Sequence, residues 1–312
     1  MVWSTADVPD QRGRTVLITG ASGGLGLETA RVLAARGARV VLACRDIERG
    51  IAAAARIGGL AEVVRLDLAS LASVRETAAQ VHSRVDRLDL LVNNAGVMFP
   101  PYAHTRDGFE AHLGVNHLGH FALTGLLLGL MREVPGSRVV TVSSLAHRLA
   151  LRGARPEESH ATAGHRSVVA YGRSKLANLM FAQELQRRLA DSGAETVSVA
   201  AHPGLSPTGL WHRGAPPWLR PVSLAALRWL AQDPAGAALP SLRAATDPLV
   251  DGGSYLGPVG LAECSGGAVP ARSSRSARDE VEQIRLWQLS QELTGVRFAW
   301  GASRRPAVKA VR

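Results

Sequence analysis

Tyr171-Gly-Arg-Ser-Lys175 sets a phenol and an ammonium four residues apart, so on a helix both side chains face one pocket. A nearby cation favours phenolate and lowers the tyrosine pKa toward the range useful for general acid/base work. The spacing alone is common, and polar surface residues would also supply it. Composition changes its weight. Among 36 Lys and Arg residues only Lys175 and Lys309 are lysine, so a compact ammonium with a tunable pKa stands here in a chain that otherwise writes its cations as arginine.

Other residues could serve the same chemistry. Ser143 and Ser144 follow the apolar run Arg138 to Val142, where a hydroxyl could polarise a carbonyl oxygen, although serines there are also plain turn or cap residues. Asn116 lies inside a long apolar helical stretch, a place that suits an amide only if its hydrogen bonds are used, by a bound water or by the core itself. Histidines at 112, 117 and 120 are spaced by five and three and do not form the His-x-x-x-His pair of a zinc helix. No metal site is expected.

These groups need elements to position them. The first two hundred residues alternate β-branched runs with longer amphipathic stretches, which predicts repeated βα units and a parallel sheet. Strands are expected at Thr15 to Thr19, Arg39 to Ala43, Glu62 to Leu66, Leu88 to Val92, Arg138 to Val142 and Thr196 to Ala201. Helices are expected at 24–36, 106–132, 170–190 and 279–294. The fold class that follows is a single-domain α/β Rossmann-type sheet, doubly wound and parallel, with helices on both faces and ligands at the carboxyl ends of the strands. Residues 205–250, rich in Pro, Trp and Gly, suggest a substrate lid, and 266–278 a mobile loop. One domain over 1–312 is the expectation.

A dinucleotide cofactor is legible at those strand ends. Thr19-Gly-Ala-Ser-Gly-Gly-Leu-Gly26 joins the first strand to the first helix, where glycines allow close backbone approach and a helix N-terminus favours a pyrophosphate. Its spacing departs from G-x-G-x-x-G. Gly20, Ser22, Gly24, Leu25 and Gly26 are the candidate contacts. After the second strand the chain reads Cys44-Arg45-Asp46. A guanidinium at Arg45 would accept a ribose 2′-phosphate, with no carboxylate at position 44 to repel it, which favours NADP(H) over NAD(H). Asp67, followed by Leu68, could bond the adenine edge or cap a helix. Asn93, Ala95 and Gly96 would let the nicotinamide ribose lie against the sheet. Pro203 and Gly204 fit a sharp exit beneath the nicotinamide, and Thr208 could bond its carboxamide.

Composition narrows the function classes. Hydrophobic residues make up 46% and charged residues 20% of the chain, as in ordinary globular proteins. The net charge of +10 comes from arginines spread over the chain, without the clustering of a nucleic-acid surface. No run of eighteen uninterrupted apolar residues occurs, and the N-terminus lacks a secretory pattern. A cytoplasmic protein that avoids membranes is expected. Cys44 and Cys264 suggest neither a disulfide framework nor a metal site.

Taken together, TGASGGLG at 19–26, NNAG at 93–96, Asn116, VSS at 142–144, YGRSK at 171–175 and HPG at 202–204 resemble the short-chain dehydrogenase/reductase family over about residues 14–210. VLACRD, NHLGHFALT and SKLANLMF are similar to its retinol dehydrogenase and WW-domain oxidoreductase branch, although no WW domain is present. The resemblance implies that Tyr171 is the general acid/base and that Lys175 binds the ribose and depresses the tyrosine pKa. It further implies that Ser144 holds the carbonyl and Asn116 anchors a proton-relay water. The implied activity is NADP(H)-dependent interconversion of a hydrophobic carbonyl compound and its alcohol. A dehydratase or epimerase on the same scaffold and a non-catalytic NADP-binding regulator are the alternatives. The long apolar helices suggest a homo-oligomer. The 27-position separation of Ser144 and Tyr171 is about twice that of short family members, which leaves the pocket there open.

Overall fold

A computed structural model describes residues 3–150, 167–204 and 233–300. Mostly apolar runs form β1 (Thr15–Thr19), β2 (Arg39–Cys44), β3 (Ala61–Arg65), β4 (Leu90–Asn93), β5 (Arg138–Val142), β6 (Val197–Ala201), β7 (Tyr255–Pro258) and β8 (Ala268–Pro270). They make one sheet in the order β3-β2-β1-β4-β5-β6-β7-β8. Every pairing is parallel except that of β7 with β8. The strand order turns back between β1 and β4, and there the carboxyl ends of the strands border a crevice.

Central strands are apolar on both sides because helices cover both faces. The helices are α1 (Gly24–Ala35), α2 (Ile47–Ile57), α3 (Leu71–Arg84), α4 (Ala111–Leu130), α5 (Ser167–Ser192), α6 (Pro234–Thr246) and α7 (Glu280–Thr294). Alternation along β1 sends Val16 and Ile18 to the core shared with α1 and α6, and Leu17 to the core shared with α3, α4, α5 and α7. Helix α4 has the length and hydropathy of a membrane span, yet 72% of its apolar window is buried in the protein. It serves as core. Asn116 lies in a π-helical turn, Gly114–Leu118, inside it, a feature common where a helix must redirect a functional group.

The C-terminal third differs from the sequence reading. The suggested lid at 205–250 ends in α6, whose Ala237, Ala238, Leu242, Ala244 and Ala245 are fully buried. Pro234 occupies the first turn, where no N–H partner is needed, and Asp233 caps it by accepting from the Gly236 N–H at 2.7 Å. Residues 234–246 therefore belong to the scaffold; 205–232, with Thr208, lie outside the described residues. The 266–278 loop contains β8, an edge strand short enough to end on Pro270. Helix α7 ends as expected, with Asp279 capping its start and Gly295 in the left-handed region at its end.

Candidate active site

Helix α5 packs along β5 and β6, and its first turns bring Tyr171 and Lys175 beside the carboxyl end of β5, 9% and 4% exposed. Gly172 permits this approach, since a Cβ there would lie 2.7 Å from the Ala146 carbonyl oxygen. Lys175 Nζ donates to the Val142 carbonyl at 3.0 Å and lies 5.9 Å from the centre of the Tyr171 ring. The two serines separate cleanly. Ser143 Oγ donates to the Lys175 carbonyl at 2.7 Å and so fastens the helix. Ser144 hydrogen-bonds with the Tyr171 phenol.

Burial dominates the electrostatics. It pushes the Tyr171 phenol up to about 12, against the pull of the Ser144 hydrogen bond, and draws the Lys175 ammonium down to about 8. The sequence reading has the ammonium lower the tyrosine pKa. Instead the ammonium is committed to the Val142 carbonyl, and desolvation of the phenolate wins. The site holds a neutral phenol near neutral pH.

Asn116 is a fully satisfied amide. Its Oδ1 accepts from the Val97 N–H at 2.7 Å, and its Nδ2 donates to the Val97 carbonyl at 3.0 Å and to Ser174 Oγ at 2.9 Å. Its backbone carbonyl accepts from His120 Nδ1 at 2.9 Å, which fixes the tautomer so that Nε2 accepts from Thr19 Oγ at 2.9 Å. Thr19 Oγ in turn accepts from the Asn94 and Ala95 N–H groups, both at 2.9 Å. The π turn is thus tied to the end of β4. Burial draws His120 down to about 4 and His117 to about 3, so both are neutral. Among the described residues no three His, Cys, Asp or Glu side chains gather as a metal ligand set.

The remaining predicted residues within the described range lie at or just beyond the carboxyl ends of β1 to β6. Gly20 has φ +69°, and a Cβ at Gly26 would meet the Gly20 carbonyl oxygen at 2.7 Å, so the turn admits backbone only. The start of α1 has no side-chain cap, which leaves its first N–H groups directed at the crevice. Ser22 hydrogen-bonds the buried Cys44 thiol, whose pKa is raised by burial. Arg45 is exposed at the end of β2. One Asp67 oxygen accepts from the Ala69 N–H at 3.1 Å, while the Leu68 carbonyl packs against Gly119. Gly96 borders the Lys175 ammonium, 3.5 Å from an added Cβ, with Ala95 beside Gly20. Asn93 turns its side chain into the core, where Nδ2 donates to Thr124 Oγ at 3.0 Å. Only its backbone is at the strand end. Pro203 and Gly204, with φ +71° at the glycine, follow β6.

Three groups are not apparent in the sequence. Arg49 lies one turn beyond Arg45, and its Nη2 would be 3.9 Å from a Cβ at Gly23. Phe99, at φ +53°, sets its ring edge against Tyr171 with centroids 5.8 Å apart. Its N–H donates to His112 Nε2 at 3.2 Å, and His112 Nδ1 donates to Glu110 Oε1 at 2.6 Å, so a buried pair holds this aromatic wall. The Glu263 carboxylate reaches both Arg148 and His202 from the far side. No local signal could have found them, because each acts between distant segments.

A doubly wound sheet with a glycine-rich first turn and a buried Ser-Tyr-Lys constellation defines a nucleotide-dependent oxidoreductase fold. The short chain dehydrogenase family profile matches residues 14–156. Human retinol dehydrogenase 11 is 42% identical over 311 residues, covering 94% of this chain and 88% of that protein. Bovine dehydrogenase/reductase SDR family member 13 is 43% identical over 91% of this chain and 74% of that protein. A crystal structure of an uncharacterised Mycobacterium paratuberculosis protein superposes with TM-score 0.79 at 42% identity, covering 96% of this chain and all of the other. The Pseudomonas aeruginosa RhlG/NADP active-site complex superposes with TM-score 0.61 at 27% identity, over 78% of this chain and 94% of that one. The chain belongs to the short-chain dehydrogenase/reductase family, in its retinol dehydrogenase branch.

Proposed function

We propose that this protein is an NADP(H)-dependent oxidoreductase that interconverts an apolar carbonyl compound and its alcohol. The observation that carries this reading is the buried Tyr171 phenol, hydrogen-bonded to Ser144 and one helical turn from Lys175. The cofactor would lie along the 20–26 turn, Asp67, Leu68, Ala95, Gly96, Pro203 and Gly204, and it supplies or accepts the hydride when bound. Ser144 would orient the carbonyl oxygen, and Tyr171 would deliver its proton to that oxygen as it becomes an alkoxide. In the reverse direction Tyr171 takes the proton from the alcohol.

The tight Gly20–Gly26 turn and the uncapped start of α1 support a pyrophosphate. Arg45 and Arg49 support a 2′-phosphate beside it, as does the NADP of the RhlG complex. Among the described residues neither guanidinium is in an ion pair. Arg45→Ala combined with Arg49→Ala is expected to weaken NADPH binding by about tenfold to a hundredfold, the worth of charge-assisted hydrogen bonds, while NADH affinity stays within about twofold. Titration of both cofactors checks it.

The Phe99 wall supports an apolar substrate, and the relatives named for retinol make long conjugated aldehydes and alcohols the first class to try. The reading keeps the enzyme in the cytosol, because its one span-length apolar helix among the described residues is already core. The deciding experiment follows NADPH and NADH absorbance with a panel of apolar aldehydes and ketones, retinal included. Oxidation of NADPH by at least one is the expected result. Stable NADPH and NADH across the whole panel, with the reverse reaction also silent, would reject it.

A further inference from the structure

Glu263 stands on the hairpin between β7 and β8, where Val259 N donates to the Gly267 carbonyl at 2.8 Å and Gly260 N to the Ser265 carbonyl at 2.7 Å. Two successive non-glycine residues there, Ala262 and Glu263, hold φ of +52° and +58°. Left-handed backbone is costly for residues with a Cβ. Here it aims the Glu263 carboxylate back at the sheet. Both carboxylate oxygens accept from Arg148 Nη2 at 2.8 Å, and Arg148 also donates to the Arg272 carbonyl at 3.2 Å. Arg148 belongs to the 3-10 turn Leu145–Leu149, for which Ser144 is the cap.

The same carboxylate faces His202 Nε2 at 3.1 Å, too poorly aligned to count as a hydrogen bond, and the ring it faces is neutral, because burial draws its pKa down to about 4. On the other side of the ring Nδ1 accepts from the Gly204 N–H at 3.3 Å. A ring that accepts at Nδ1 must carry its proton at Nε2, and a carboxylate facing Nε2 favours that tautomer. Gly204 itself packs against the Cys264 carbonyl, where a Cβ would collide. One side chain therefore touches the turn after the serine strand and the turn that leaves β6.

We propose that Glu263 is a positioning residue for the cofactor end of the site: it fixes the His202 tautomer that shapes the 202–204 turn and ties that turn to the Ser144 turn. The inference rests on the cofactor placement given under the proposed function. Without the carboxylate, His202 keeps only the 3.3 Å bond from the Gly204 N–H in favour of the Nε2–H tautomer, that N–H loses its acceptor whenever the ring switches, and the two turns are free to drift apart. Displacements of this kind weaken binding and misalign reacting groups without removing any contact to them.

The test uses the full chain and two readouts. Long-range nitrogen–proton correlation of the His202 ring is expected to report the Nε2–H tautomer in the wild type and in Glu263→Gln, which retains an acceptor, and a mixture in Glu263→Ala. Calorimetric titration with NADP+ is expected to show about tenfold weaker binding for Glu263→Ala and partial rescue in Glu263→Gln. Should Glu263→Ala not fold, Arg148→Met unties one end only and is expected to weaken NADP+ binding with the tautomer unchanged. A wild-type His202 protonated at Nδ1 overturns the proposal. So does a folded Glu263→Ala, or Arg148→Met in its place, that binds NADP+ like the wild type. Failure of the wild type to bind either nicotinamide cofactor counts against the proposed function instead, and the ring tautomer still decides the role of Glu263.

Discussion

Tyr171→Phe is expected to lower kcat by about a thousandfold while leaving NADPH affinity within about twofold and the fold intact. The substitution removes one oxygen. That oxygen's hydrogen bond runs to Ser144, so Phe leaves the buried ring packed against Phe99 and His112 and orphans only one hydroxyl, itself still accepting from the Ala146 N–H at 3.2 Å. The lost function is proton delivery to the substrate oxygen, a general-acid contribution of about a hundredfold to ten-thousandfold. The pH dependence has a definite sign. With the phenol pushed up to about 12, Tyr171 is a proton donor across the neutral range, so reduction proceeds there without prior ionisation. Alcohol oxidation needs the phenolate and is expected to rise with pH toward the tyrosine pKa of the cofactor-bound enzyme. Steady-state rates in both directions across pH, for wild type and Tyr171→Phe, check both points. A Phe variant with undiminished kcat would remove Tyr171 from the mechanism.

The residues legible in the sequence are those whose function leaves a local mark. The glycine-rich turn is visible because backbone approach excludes side chains within one short segment, and the central strands β1, β2, β4, β5 and β6 are visible because strands covered on both faces are largely apolar. Lys175 is visible through composition, since lysine is rare in this chain. Tertiary contacts account for what is not legible. Helix α6 reads as loop because Pro234 and Pro240 obscure its period, yet its small residues let it pack closely against α1. Strand β8 spans three residues, too few to display alternation. Glu263 and Arg148 are separated by 115 positions, and Phe99 is held by the His112–Glu110 pair, whose role depends on the fold at the start of α4. The direction of the Tyr171 shift belongs to the same group, because motif spacing places the ammonium nearby but cannot weigh it against desolvation.

Lys175→Met should separate stability from function most sharply. Burial lowers the folded-state pKa of Lys175 from 10.5 to about 8, so below that value the protein keeps a charge in a desolvated place that the unfolded chain would hold in water. This is a destabilising contribution near neutral pH. It fades as pH climbs through about 8, because the folded state then releases the proton while the unfolded chain still binds it. Above about 10 the trend reverses through Tyr171: the unfolded phenol ionises first, and the folded phenol, held up to about 12, does not. Methionine fills much of the lysine volume without the charge, and the Val142 carbonyl keeps a donor in Asn178 Nδ2 at 3.1 Å. Lys175→Met is therefore expected to gain roughly 2–3 kcal/mol near neutral pH and to lose the rise in stability between about pH 8 and 10. Its kcat is expected to fall by at least about a hundredfold, with weaker cofactor binding, because no cation remains to bind the ribose or favour phenolate in the bound state. Denaturant unfolding at neutral and alkaline pH measures the first effect, and turnover with NADPH the second. A variant that is less stable than the wild type at neutral pH would mean that the ammonium is better solvated than its burial implies; one that keeps its turnover would detach Lys175 from the chemistry altogether.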